Sequence, residues 1–240
     1  MLNSQSESIS LSQQDEHTTA NISLEIDPGW TVNDSEKLYN IEGWGEPYFA
    51  INQAGNVTVT LEEQGKPIEL LEIVESLSQQ GIGSPLLIRF PDILADRLAR
   101  LHNSMAQAIA RYEYQGKYQG VFPIKCNQNR QLIEALVNYG KPYHFGLEAG
   151  SKPELMIALA CLASVKEGQP LLMCNGYKDR EYLETALLAT RLGHKPIIVI
   201  EQLQELDLLI AIAQELEISP IVGVRAKLNA RGIGRWGDST

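Results

Sequence analysis

The chain has 240 residues, and 44% of them are apolar, enough for one large core or two small ones. Its formal charge of −10, with no basic run or basic-aromatic patch, argues against a nucleic-acid backbone as partner. The cysteines Cys126, Cys161 and Cys174 and the histidines His17, His102, His144 and His194 show neither CxxC nor metal-ligand spacing, so no zinc site or redox motif is expected and a reducing compartment fits.

The N-terminal stretch MLNSQSESISLSQQDEHTT has no basic n-region and no apolar h-region, so it does not read as a secretory signal. No apolar run reaches membrane-spanning length. A cytoplasmic protein without membrane contact is expected. Residues 1–27 read as a disordered Ser/Gln/Glu/Thr-rich tail. Residues 28–84 read as a small β-rich segment. Within it, YFAINQAGNVTVTLE carries two alternating runs around Ala54-Gly55-Asn56, the pattern of a hairpin. The spacing of Leu70, Leu71, Val74 and Leu77 predicts an amphipathic helix over 67–80.

From Pro85 onward the rhythm is regular, and 85–240 reads as one domain. LLIRF predicts a short strand over 86–90. A helix follows over 91–112, with Ile93, Leu94, Leu98, Leu101, Met105 and Ile109 as its apolar stripe. Strands are predicted over 120–126, 143–147, 170–174, 196–200 and 220–226. Helices are predicted between them over 130–139, 151–163, 180–192 and 203–216. Ser151-Lys152-Pro153-Glu154 has capping-box spacing with proline in the first turn. Short apolar strands alternating with amphipathic helices point to an α/β fold with a parallel sheet. The unit length suits a (β/α)8 TIM-type barrel. About five βα units fit from the 120–126 strand to the end of the chain, so an incomplete barrel or an open sheet is expected.

Polar residues recur where these strands end. Lys125 follows Val121-Phe122-Pro123-Ile124, Glu148 follows Gly146-Leu147, Asn175 follows Met173-Cys174, and Arg225 follows Gly223-Val224. In βα folds the site is built at this rim. A lysine on a buried strand end is expected to have a lowered pKa, and its neutral amine forms a Schiff base. Arg225 interrupts a strand expected to be buried, so it needs a carboxylate or phosphate partner. Glu154 reads as the capping-box carboxylate, and Asn175-Gly176 as a turn pair. Gly232-x-Gly234-x-x-Gly237 formally matches a dinucleotide fingerprint, but it is not placed between a strand and a helix as that motif requires.

Read together and in order, GVFPIKCNQ, FGLEAGSKPELM, LMCNGYKDREY, VGVRAKL and GRWGDST resemble the biosynthetic arginine decarboxylases. These are pyridoxal 5'-phosphate (PLP) enzymes with an alanine-racemase-like barrel, and the likeness runs from about Trp30 to the last residue. It implies PLP-dependent decarboxylation of L-arginine to agmatine and CO2, with Lys125 as the catalytic Schiff-base lysine. Glu148 and Arg225 match the cofactor-proximal acid and the buried arginine of the related ornithine decarboxylases, and are expected to bind the cofactor. The resemblance also implies a homo-oligomer in the full-length enzyme, and Mg2+ as a further cofactor. The ring-stacking histidine, the Gly-rich phosphate loop and the cysteine-bearing β-domain of that family would follow GRWGDST. The 240 residues alone are therefore expected not to turn arginine over. The alternative is a non-catalytic PLP-binding module or a regulatory partner of an intact paralogue.

Overall fold

The computed structural model describes residues 29–61, 65–165, 168 and 170–226. The expected N-terminal tail, the whole GRWGDST stretch and the glycine decoy lie outside these residues. Two compact units divide the chain, one comprising 1–60 and 66–81, the other 61–65 and 82–240.

The first unit holds α1 (Val32–Tyr39), α2 (Ile41–Gly45), β1 (Phe49–Ile51), β2 (Val57–Val59), β3 (Ile68–Glu69) and α3 (Leu70–Gln79). Thr31 caps α1 through a reciprocal capping box with Asp34, satisfying backbone donors that the first turn leaves open. The expected hairpin forms as β1–β2, with Phe49 opposite Val59 and Ile51 opposite Val57. Its loop closes on Asn52, whose Oδ1 accepts from the N–H groups of Ala54 (3.0 Å) and Asn56 (2.9 Å). Gly55 takes φ +86° there, a conformation that costs glycine little. Helix α3 starts at Leu70, three residues later than expected, because Ile68 and Glu69 pair with Val59 and Thr58 instead. The segment expected to be β-rich therefore carries three helices beside its three short strands.

The second unit runs α4 (Pro91–Arg111), β4 (Val121–Pro123), α5 (Arg130–Gly140), β5 (Gly146–Ala149), α6 (Lys152–Leu162), β6 (Leu171–Cys174), α7 (Arg180–Leu188), β7 (Lys195–Ile200), α8 (Leu203–Leu216) and β8 (Ile221–Val224). The five strands are parallel and lie in sequence order, β4-β5-β6-β7-β8, so the expected α/β fold with a parallel sheet is present. Each crossover is a helix, as parallel neighbours require. Leu147, Leu172 and Ile198 point to one face of the sheet and are fully buried together with Ile133, Leu155, Leu183, Leu209 and Ile212 of the helices. Pro123, Glu148, Met173, Ile197 and Ile221 stand level with one another on the other face. That face carries the polar rim.

Several boundaries differ from expectation. Residues 86–90 alternate half-buried and exposed but join neither sheet. Alternation reports an extended chain, whereas a strand also needs a ladder partner. Strand β5 starts at Gly146 rather than Tyr143, because Lys141–Tyr143 forms a 3-10 turn and His144 takes φ +52°. His144 thus does not share a strand face with Glu148. On α4, Leu98 is buried but Leu101 and Met105 are exposed. The buried partner on that face is His102, whose ring stacks on Tyr143 at 4.4 Å. Among the described residues no helix is long and apolar enough to cross a membrane.

Candidate active site

A cleft of about 450 Å³ opens at the C-terminal ends of β4–β8, and Lys125, Glu148, Glu154, Asn175, Glu201 and Arg225 are among the residues that line it. Lys125, Asn175, Glu201 and Arg225 lie one or two residues past a strand, Glu148 is the penultimate residue of β5, and Glu154 sits in the first turn of α6. The sheet thereby collects at one rim residues that are far apart in sequence, as βα architecture dictates.

Lys125 lies in a 3-10 turn, Ile124–Cys126, that follows β4. It was expected on a buried strand end, but its side chain is 65% exposed. A 3-10 turn advances side chains by a third of a circle rather than half, so Ile124 takes the fully buried place and Lys125 swings into the open. The burial on which the expectation for this amine rested is therefore absent. Its Nζ lies 3.6 Å from Oε1 of the largely buried Glu148. The register sets Pro123 beside Glu148, so the two functional groups leave neighbouring strand ends on one face.

Arg225 follows β8, and its N–H prolongs the ladder by donating to the Ile200 carbonyl at 3.1 Å. The strand expected to bury it is exposed at Ile221, Val222 and Val224, because β8 is an edge among the described strands. The Arg225 side chain is 64% exposed as a result. It has the carboxylate partner its position demands. Its guanidinium donates to Glu201 Oε2 at 2.8 Å, and Glu201 Oε1 accepts from the Gly176 N–H at 2.6 Å. Gly176 takes φ +74°, and a Cβ there would stand 2.3 Å from the Gly150 carbonyl oxygen. Only glycine fits this loop.

Glu154 is engaged three times, and at one of its carboxylate oxygens, Oε1, it accepts from Gln128 Nε2 at 3.4 Å. Its N–H donates to the Ser151 hydroxyl, as expected of a helix start, but its carboxylate accepts from the Gly150 N–H at 2.7 Å. That contact orders the loop after β5. Behind it, the Tyr182 hydroxyl donates to the Ala149 carbonyl at 2.8 Å. Burial raises the Tyr182 phenol well above its ordinary value. Burial likewise pushes the Cys174 thiol up to about 11, so neither group ionises near neutrality.

Sequence reasoning brought Lys125, Glu148, Asn175 and Arg225 forward, and all four line the cleft. It missed Glu201, which opens the polar run EQLQEL and reads as a solvated helix start. The available signal was position, since Glu201 follows β7 as Asn175 follows β6. Among the described residues no group of three or more His, Cys, Asp or Glu could hold a metal ion, so the expectation of Mg2+ gains no site here. The organic cofactor fares differently. An exposed primary amine, paired with a carboxylate in an open cleft, suits a ligand that carries an aldehyde.

The sequence profile described as "Pyridoxal-dependent decarboxylase, pyridoxal binding domain" matches residues 95–235. Biosynthetic arginine decarboxylase 1 of Synechocystis sp. is 61% identical over 221 residues, covering 89% of this chain and 32% of that protein. The biosynthetic arginine decarboxylase of Nostoc sp. is 61% identical over 212 residues, covering 88% of this chain and 31% of that protein. Among solved structures, the biosynthetic arginine decarboxylase SpeA from Campylobacter jejuni superposes with a TM-score of 0.70 at 33% identity, over 80% of this chain and 31% of that one. The diaminopimelate decarboxylase of M. jannaschi shares the fold, with a TM-score of 0.54 at 19% identity over 76% of this chain and 36% of that one. The chain thus spans about a third of the length of the relatives it matches.

Proposed function

This chain belongs to the pyridoxal-dependent decarboxylases, through their pyridoxal-binding domain, and on that premise we propose that it is the PLP-binding part of a biosynthetic arginine decarboxylase. Its five parallel strands and the helices that connect them are read as a portion of a (β/α)8 barrel. The reaction proposed is loss of CO2 from L-arginine to give agmatine, a polyamine precursor. The observation that carries the reading is the Lys125 amine, exposed to the rim cleft and 3.6 Å from Glu148, in a chain 61% identical to named arginine decarboxylases.

In this reading Lys125 is the residue to which the cofactor's aldehyde attaches. Bound PLP supplies the electron-withdrawing ring that accepts the electron pair left when CO2 departs. The chain's own groups do the rest. Glu148, 3.6 Å away, orients the Lys125 side chain toward the cleft. Arg225, tethered by Glu201, contributes fixed positive charge at the rim, suited to an anionic cofactor. Glu154 and Gly176 hold the loops after β5 and β6, which keeps the cleft open to a ring-sized ligand. The five strand ends place these groups before any ligand arrives, and such preorganisation lowers the cost of binding.

The test is L-arginine decarboxylation by the whole enzyme of which this sequence is read as the PLP-binding part. Agmatine and CO2 in equal amounts, both lost in Lys125→Ala, are the expected result. Decarboxylation of a different amino acid, or PLP uptake with no CO2 from any, would overturn the assignment.

A further inference from the structure

Beside the cleft, but not lining it, a second ion pair is sealed from solvent. Lys178 and Glu205 have side chains 0% and 4% exposed. Lys178 sits in the loop between β6 and α7, and Glu205 in the first turn of α8. The Lys178 ammonium donates to the carbonyls of Gly176 and Val199 and to Glu205 Oε2 at 3.3 Å. An ammonium has three protons, so all are used. Glu205 Oε1 accepts from the Lys178 N–H at 3.0 Å, and Oε2 also accepts from the Glu201 N–H at 3.0 Å.

A buried pair of this kind is a poor source of stability, because desolvating both charges offsets much of their attraction. What it does here is pin backbone. Its contacts fall on Gly176 and Lys178 in the loop after β6, on Val199 near the end of β7 and on Glu201 just past it. Between those segments runs the bond from the Gly176 N–H to the Glu201 carboxylate, and the other oxygen of Glu201 holds Arg225.

We propose that Lys178 and Glu205 are positioning residues for the cleft: they set the backbone at Gly176 and Glu201, and through it aim the Glu201 carboxylate and the Arg225 guanidinium. The proposal deepens the PLP reading and rests on it only for the identity of the ligand. Neither residue touches the ligand in this account. Removing the pair should therefore change the order of the rim before it changes the fold.

Amide hydrogen exchange on the purified chain reads this without any cofactor. In Glu205→Gln, an N–H2 donor replaces an acceptor and faces the donors of Lys178. The Gly176 and Glu201 amides should then exchange about tenfold faster or more, while the amides of central strands β6 and β7 keep their rates. PLP affinity, titrated on the same proteins, should fall in Glu205→Gln. Adding Arg225→Ala to that variant should cost less than Arg225→Ala alone, because both act through one network. Unchanged exchange at Gly176, or equal acceleration at every amide, would overturn the positioning role. Selective acceleration in a chain that takes up no PLP would uphold the positioning role and remove the PLP reading instead. Should Glu205→Gln fail to fold, Lys178→Arg is measured the same way, since a planar guanidinium cannot direct three protons at these acceptors.

Discussion

Lys125 and Glu148 face each other across the β4–β5 pair, Nζ to Oε1 at 3.6 Å, with the carboxylate mostly buried and the amine in the open. The pairing follows from parallel register, since Pro123 stands level with Glu148 and the next turn carries the lysine. An amine so exposed gains only about 0.2–1 kcal/mol from its partner. Glu148→Gln should therefore weaken PLP retention by no more than about fivefold and leave the fold intact. Absorbance titration with PLP, beside a thermal melt of each protein, measures both.

The core makes a sharper demand. Ile198 lies fully buried on β7 amid the helices, whereas Leu101 on α4 is 45% exposed. Ile198→Ala should cost about 2–5 kcal/mol, and Leu101→Ala should stay within about 0.5 kcal/mol. Urea unfolding midpoints compare them.

Much of this core was legible in advance. The apolar runs of β4, β6, β7 and β8 and the amphipathic pattern of α8 are local, and the strands and helix stand within a few residues of where those patterns put them. The errors arise where a distant contact decides. Residues 86–90 alternate like a strand but meet no ladder partner, and Ile68–Glu69 leave the α3 pattern to pair with β2. The site shows the same division. Lys125, Glu148 and Arg225 were found by their strand-end positions, but the exposure of Lys125 comes from a turn that alternation does not reveal. Lys178 stood in the charged run KDRE and Glu205 in EQLQEL, where each looks solvated. Only the fold brings them together.

The same pair gives the protein an acid-sensitive element. Burial pushes the Glu205 carboxyl upward, but the N–H groups of Glu201 and Lys178 and the Lys178 ammonium outweigh it, so its folded-state pKa lies below the ordinary 4.5. A lowered folded value adds stability that is fully present above 4.5 and is lost as pH falls through the folded value. As pH falls from 4.5 through that folded value, stability should decline more gently in Glu205→Gln than in the parent. Denaturation midpoints taken across a descending pH series test this.

Thiol chemistry should separate the cysteines. Cys126 is exposed beside Lys125, whereas Cys174 is buried with its thiol near 11. Iodoacetamide at neutral pH should label Cys126 readily and Cys174 only after unfolding, as read by peptide mass spectrometry. Prior loading with PLP should slow the labelling of Cys126 if the cofactor occupies the cleft beside it.

The central claim is that Lys125 is the residue that takes the cofactor. The measurement that tests it most directly is borohydride reduction of the PLP-loaded chain, followed by proteolysis and peptide mapping. The account predicts one pyridoxyl group per chain, on the peptide containing Lys125, and none in Lys125→Ala. A pyridoxyl group on Lys178, Lys152 or any other lysine, with uptake unchanged in Lys125→Ala, would contradict it.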